Sequence, residues 1–175
     1  MPTKVLRGSY TIWAAFPEAD VDWGNPSAAD ITAAVTNGLI LDISCAITDD
    51  SGDSLNMTEP ATDDTQSICD VGQVETPTYD NYEAELNAFR NKPGTTDTPY
   101  YDLFYSLFNG AGRKYWLIKR MDKEQGTPIQ AGDILSAYLF ETDWGVDMPE
   151  DAGVLQFGAR FKQQGELHIN KTVGA

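Results

Sequence analysis

The chain has 175 residues, 41% apolar and 11% aromatic, which suits one domain burying roughly 70% of its unfolded surface and excludes a disordered or fibrous protein. Two cysteines (Cys45 and Cys69) and one histidine (His168) exclude a disulfide-dense scaffold, a four-Cys zinc site and every two-His metal motif, and they argue against an enzyme. The formal charge of −15 is unevenly placed, since residues 8–89 hold 16 acids and no Lys or Arg whereas residues 90–175 hold 10 bases and 11 acids, a field that repels nucleic acid.

No apolar run approaches 18 residues, so no spanning helix is expected. Lys4 and Arg7 precede a short apolar stretch stopped by Pro17, a poor signal peptide. Residues 1–16 read as an N-terminal arm, with a strand over 7–15. A short helix is predicted over 28–36: Ser27 with Asp30 three residues on has capping-box spacing, and Asn37-Gly38 closes it. Leu39, Leu41, Ile43, Cys45 and Ile47 then alternate as one face of a strand, which would bury the Cys45 thiol.

Turn-forming residues crowd positions 48–65, read as an extended acidic loop with Asp49, Asp50, Asp53, Glu59, Asp63 and Asp64. The cluster invites a Ca²⁺ reading, but the EF-hand pattern fails. With Gly52 as the sixth position, the first is Ile47 and the twelfth Thr58. A further strand is expected over 67–75, placing Cys69 as a candidate cross-strand neighbour of Cys45. Tyr82, Ala84, Leu86 and Ala88 alternate with Glu83, Glu85 and Asn87, so one face of that strand is apolar and the other acidic. Glu83 and Glu85 point the same way about 7 Å apart. That is a carboxylate spacing used in glycoside hydrolysis, yet the sequence offers no cleft, and a wet or pore-facing strand is the ordinary explanation.

Thr98 is the predicted N-cap of a second helix, with Pro99 at its first position. Tyr100, Leu103, Phe104, Leu107 and Phe108 form its apolar stripe, and Gly110 ends it. Residues 114–121 and 133–141 are apolar on both faces, as central strands are. Loop chemistry fills 122–132 and 142–153. Alternation over 155–162 and 166–173, broken at Gln163–Gly165, predicts a C-terminal hairpin with His168 on its polar face, a surface or interface histidine. The sequons at Asn56 and Asn170 are treated as chance, and there is no phosphate loop and no G-x-G-x-x-G. The expected fold is a single mainly β domain over 1–175, an antiparallel β-sandwich or barrel with one flanking α-helix and a second short helix.

Residues 70–91, DVGQVETPTYDNYEAELNAFRN, resemble a central stretch of the major tail tube proteins of long-tailed (siphovirus-type) actinobacterial phages. Three further segments are similar in the same order. They are SAADITAAVTNGLILDISCAIT from Ser27, PYYDLFYSLFNGAGRKYWLIKR from Pro99, and the ending GVLQFGARFKQQGELHINKTV. The resemblance implies a structural virion protein with no cofactor and no catalytic or metal residues, closing into hexameric rings that stack into a tube. It implies as partners further copies of the chain, the tape measure protein, the tail terminator and tail tip proteins. DNA would pass through without specific binding, and the chain would enter no membrane. Assembly would occur in the bacterial host cytoplasm and the product would reside in the virion tail. On this reading Glu83 and Glu85 line the lumen, the 48–65 loop makes the inter-ring contact, and Arg90, Lys92, Arg113, Lys114, Lys119 and Arg120 answer those acids at interfaces. The alternatives are a tail terminator or secretion-tube subunit of the same fold, a monomeric acidic binding module, or a hydrolase using a carboxylate pair.

Overall fold

Alternating apolar residues along β-branched and aromatic segments pair into one eight-stranded antiparallel sheet. The computed structural model describes residues 10–48, 53–63, 76–95, 98–149 and 155–175, with 53, 56–63, 76–81 and 149 described by their backbone. In chain order the elements are β1 (Tyr10–Ala15), α1 (Ala28–Thr36), β2 (Ile40–Asp42), β3 (Asp53–Asp63), β4 (Thr76–Phe89), α2 (Pro99–Phe108), β5 (Lys114–Met121), β6 (Ile134–Thr142), β7 (Val146–Pro149) and β8 (Leu155–Thr172). Their spatial order is β2-β1-β5-β6-β8-β4-β3, with β7 alongside β8 on the side that β6 occupies.

The sheet has a core on each face. On one, Ile12, Leu117, Phe140, Phe161, Tyr82 and Leu86 meet Phe104, Leu107 and Phe108 of α2. Phe104 packs edge-on against Phe108 at 4.9 Å and Phe157 at 6.3 Å. On the other, Trp13, Ala15, Ile118, Leu135 and Ala137 lie under Trp23 and under Ile31 and Ala34 of α1. β1, β5 and β6 are therefore buried on both sides, which is why 114–121 and 133–141 lack alternation. Among its described side chains, β4 has only the Tyr82–Ala84–Leu86–Ala88 face in a core, and Glu83 and Glu85 stand exposed on the other.

The helix starts follow from local chemistry. The Ser27 hydroxyl accepts from the Asp30 amide (3.1 Å), the expected N-cap bond, and donates to the Asp30 carboxylate (2.7 Å), which in a full capping box would instead accept from the Ser27 amide. α2 begins at Pro99 as expected, but the Thr98 side chain makes no cap. Asn91 instead fixes the residue before the helix, its side-chain amide donating to the Thr98 carbonyl (2.9 Å) and its Oδ1 accepting from the Thr98 amide (3.3 Å). At the far end, the Arg113 guanidinium donates to the Ser106 carbonyl at 3.1 Å, meeting the negative pole of α2.

Four expectations need correcting. The strand over 39–47 stops at Asp42. There Asp42 Oδ1 accepts from the Ser44 amide and a 3-10 turn over Ser44–Ala46 follows. Cys45 is consequently exposed, its thiol donating to Gln125 Oε1 at 2.6 Å, and burial of part of the group raises its pKa. Second, residues 53–63 form strand β3, paired along β4, where an extended loop was expected. Leu55, 5% exposed opposite Ala84, anchors it, so ladder and burial override turn-rich composition. Pro60 falls where the register shifts, on an edge strand, where a missing amide is tolerated. Third, 155–172 is one strand and not a hairpin. Gly165 (φ +84°) sits in a bulge, four β8 steps from Gln163 to Leu167 matching two on β6. Asn170 (φ +50°) makes a smaller one, its amide taken by the Ser136 hydroxyl at 3.0 Å. Fourth, the loop expected over 142–153 holds strand β7, because Val146–Pro149 pair with β8. The strand expected over 67–75, and Cys69 in it, lie outside the described residues.

Candidate assembly surfaces

Strand pairing sets which charges share a face. Glu85 pairs with Arg160 on β8, Glu141 of β6 pairs with Lys162, and Lys114 of β5 pairs with Glu141. These side chains, with Glu83, form a strip of alternating charge beyond the reach of α1. Opposite charges across strands stabilise a sheet by roughly 0.2–1 kcal/mol a pair when exposed. A shallow depression of about 200 Å³ lies along Ser54, Glu83, Glu85 and Arg160.

The six basic residues assigned to interfaces divide. Arg120 is 1% exposed and works inside the subunit, which corrects that expectation. Its guanidinium donates to the carbonyls of Thr127 (2.6 Å) and Pro128 (2.8 Å) and pairs with Asp133 Oδ2 (2.6 Å). Burial raises the Asp133 pKa, but the Gln130 amide, Lys123 and Arg120 together outweigh it and hold the carboxyl below its ordinary value. Arg90 is largely internal too, paired with Asp147 and lying 3.7 Å from the Tyr105 ring centroid. Arg113 caps α2, and Lys119 sits over the Tyr10 ring at 4.3 Å. Lys92 and Lys114 are exposed.

Of the acids in 48–65, Asp53, Glu59 and Asp63 fall on β3, while Asp49, Asp50 and Asp64 lie outside the described residues. Among the described residues no three His, Cys, Asp or Glu side chains converge as metal donors. His168 is half-buried and stacks on Trp116, with ring centroids 5.8 Å apart. No helix among the described residues is long and apolar enough to cross a membrane.

One residue escaped sequence reasoning. Trp144, inside a segment rich in Thr, Asp and Gly, is 71% exposed. Its amide donates to Asp143 Oδ1 (2.9 Å), and this bond and then Lys162 (3.1 Å from Oδ2) lower the Asp143 pKa. Next to it a Cβ on Gly145 would lie 2.0 Å from Phe157 Cζ, so the chain presses on the core there and the indole is turned outward. A bulky aromatic among turn formers was the available signal.

An α-flanked antiparallel sheet, with a charged strip exposed among the described residues, defines a mainly β protein. The sequence profile of the family described as "Phage tail tube protein" matches residues 1–175, and the chain belongs to that family, a structural component of the virion tail that assembles with other tail proteins into its tube. No curated protein sequence matches the chain.

Proposed function

We propose that this chain is the repeating subunit of a long-tailed phage tail tube. Six copies close into a ring, rings stack, and the genome leaves through an acid-lined bore. The observation that carries the reading is the placement of Glu83 and Glu85 on the exposed face of β4, whose other face is core. β4 pairs with β8 over Ala84–Phe89, while Thr76–Tyr82 pair within the β3–β4 hairpin. A hairpin reaching past its sheet, ending in the edge strand β3, supports strand pairing between neighbours, and ring closure removes such edges. Within the strip of mixed charge the β4 acids would repel DNA phosphates and oppose adhesion, while Glu85 and Glu141 answer Arg160 and Lys162. Segment 48–65 serves as the contact between rings, and Lys92, Lys114 and Arg113 answer acids of adjacent copies. The tape measure, terminator and tip proteins complete the partner set.

Negative-stain microscopy of concentrated protein, with tail tip complex added where nucleation is needed, is expected to show hollow tubes with six-fold rings. Particles that stay single with the tip complex present overturn the reading. In virions, Glu83→Lys with Glu85→Lys is expected to leave tubes intact and slow ejection by about tenfold at low salt, with recovery at high salt. Unchanged ejection removes these two residues from the lumen.

A further inference from the structure

Trp144 is the most exposed large apolar side chain of the described residues, whereas Trp13 and Trp23 are buried and Trp116 half-buried. A fully solvated indole gives up a large favourable burial, and tryptophan anchors interfaces more than most residues. The same molecule carries an open apolar groove of about 270 Å³ at the β2 edge, between α1 and the β5–β6 connection. It is lined by Trp13, Val35, Ile40, Asp42, Pro128 and Ile129. An apolar cavity of ~150 Å³ takes a benzene ring, so this one accommodates a bicyclic ring. Val35 on its rim is itself 44% exposed.

Charge matches as well. The groove lining itself carries Asp42 and no base, and Asp122 and Glu124 stand exposed on the β5–β6 connection that supplies one wall. The nearby Lys123 is drawn to Asp133, 3.3 Å away. Trp144 is flanked by Arg160, whose carbonyl accepts from the Asp143 amide, and by Lys162. Three acids stand on that side, and each is answered within the subunit: Asp143 by Lys162 and the Trp144 amide, Asp147 by Arg90, and Glu141 by Lys162 opposite it.

We propose that Trp144 of one copy inserts into the Trp13–Val35–Ile40 groove of the next, making a head-to-tail contact between subunits. Knob and hole lie on different parts of one chain, so the contact is heterologous and repeats without pairing off. The indole N–H finds its acceptor in Asp42, and Arg160 meets the acidic rim. This rests on the tube reading and specifies one of its contacts.

The test uses Trp144→Ala, which lacks the knob, and Val35→Glu, which closes the hole with charge. Both sites are exposed, so circular dichroism melts are expected to match wild type. Analytical ultracentrifugation is expected to show each variant stopping at one unit, a monomer or a single ring, under conditions where wild type polymerises. An equimolar mixture is expected to give a species of twice that mass and nothing larger, since one intact knob meets one intact hole. In wild type, assembly is expected to shift indole emission to the blue and cut acrylamide quenching several-fold, changes absent from Trp144→Ala. Tubes formed normally by either folded variant, or a mixture that fails to pair, overturn the contact and leave the tube reading standing. Wild-type protein that never polymerises, even with tip complex, overturns both.

Discussion

Removing the negative charge opposite Arg120 gives the sharpest test of how this sheet is held. The two side chains are 1% and 4% exposed and 2.6 Å apart, so water screens the pair little. Asp133→Asn keeps the volume but strands a guanidinium whose other acceptors are two backbone carbonyls. Breaking such a pair from one side costs about 3–5 kcal/mol. At ~2–4 °C per kcal/mol for a chain of this size, the melting temperature falls by roughly 6–20 °C. Arg120→Met is expected to cost less, about 1–3 kcal/mol, because Asp133 keeps the Gln130 amide and Lys123. The double variant should be more stable than the sum of the singles by about 1 kcal/mol or more, as coupled neighbours are. Urea unfolding of the three variants, followed by far-ultraviolet circular dichroism, measures all of this. An Asp133→Asn cost below about 1 kcal/mol, a larger cost for Arg120→Met, or strict additivity refutes the argument.

Acid should act through the same carboxylate. Its folded pKa lies below the unfolded value, so its contribution is fully present above about pH 4 and is lost as pH falls toward the folded value; wild type should lose stability over that window more steeply than Asp133→Asn, as acid titration of unfolding free energies would show. Gly145→Ala places a methyl 2.0 Å from Phe157 Cζ, and an overpacking loss of about 1–3 kcal/mol is expected in thermal melts, partly relieved by Phe157→Leu. Tyr82→Phe deletes a hydroxyl that donates toward the carbonyls of Leu139 (3.0 Å) and Glu166 (2.9 Å), so about 1–2 kcal/mol should be lost in urea titrations, with faster amide exchange around Gln163–Glu166.

Period-2 alternation at Tyr82–Ala88 and two-sided burial in β5 and β6 were legible because each residue's environment there is set by the strand it sits in. The helical stripe of α2 was legible for the same reason. What the sequence concealed depended on partners distant along the chain. The turn-rich run at 53–63 becomes a strand through its ladder with β4, and Gly165 is a bulge because β6 runs past it. The Asn91 clamp on Thr98 and the Asp133 partner of Arg120 are likewise invisible to periodicity. Glu83 and Glu85 were readable as exposed, whereas Trp144 was hidden by the loop chemistry around it.

β8 spans 18 residues, roughly 60 Å of extended chain, and is hydrogen-bonded to β4 and β7 over its first part and to β6 over its second. A pull along its axis would load those ladders in shear, many bonds sharing the force at once. The β3–β4 pair, pulled from its Asp63–Thr76 end, would instead peel apart rung by rung. The subunit is therefore mechanically anisotropic, stiff along β8 and compliant at the hairpin, and a tube built from it would inherit its bending behaviour from the angle at which β8 meets the tube axis.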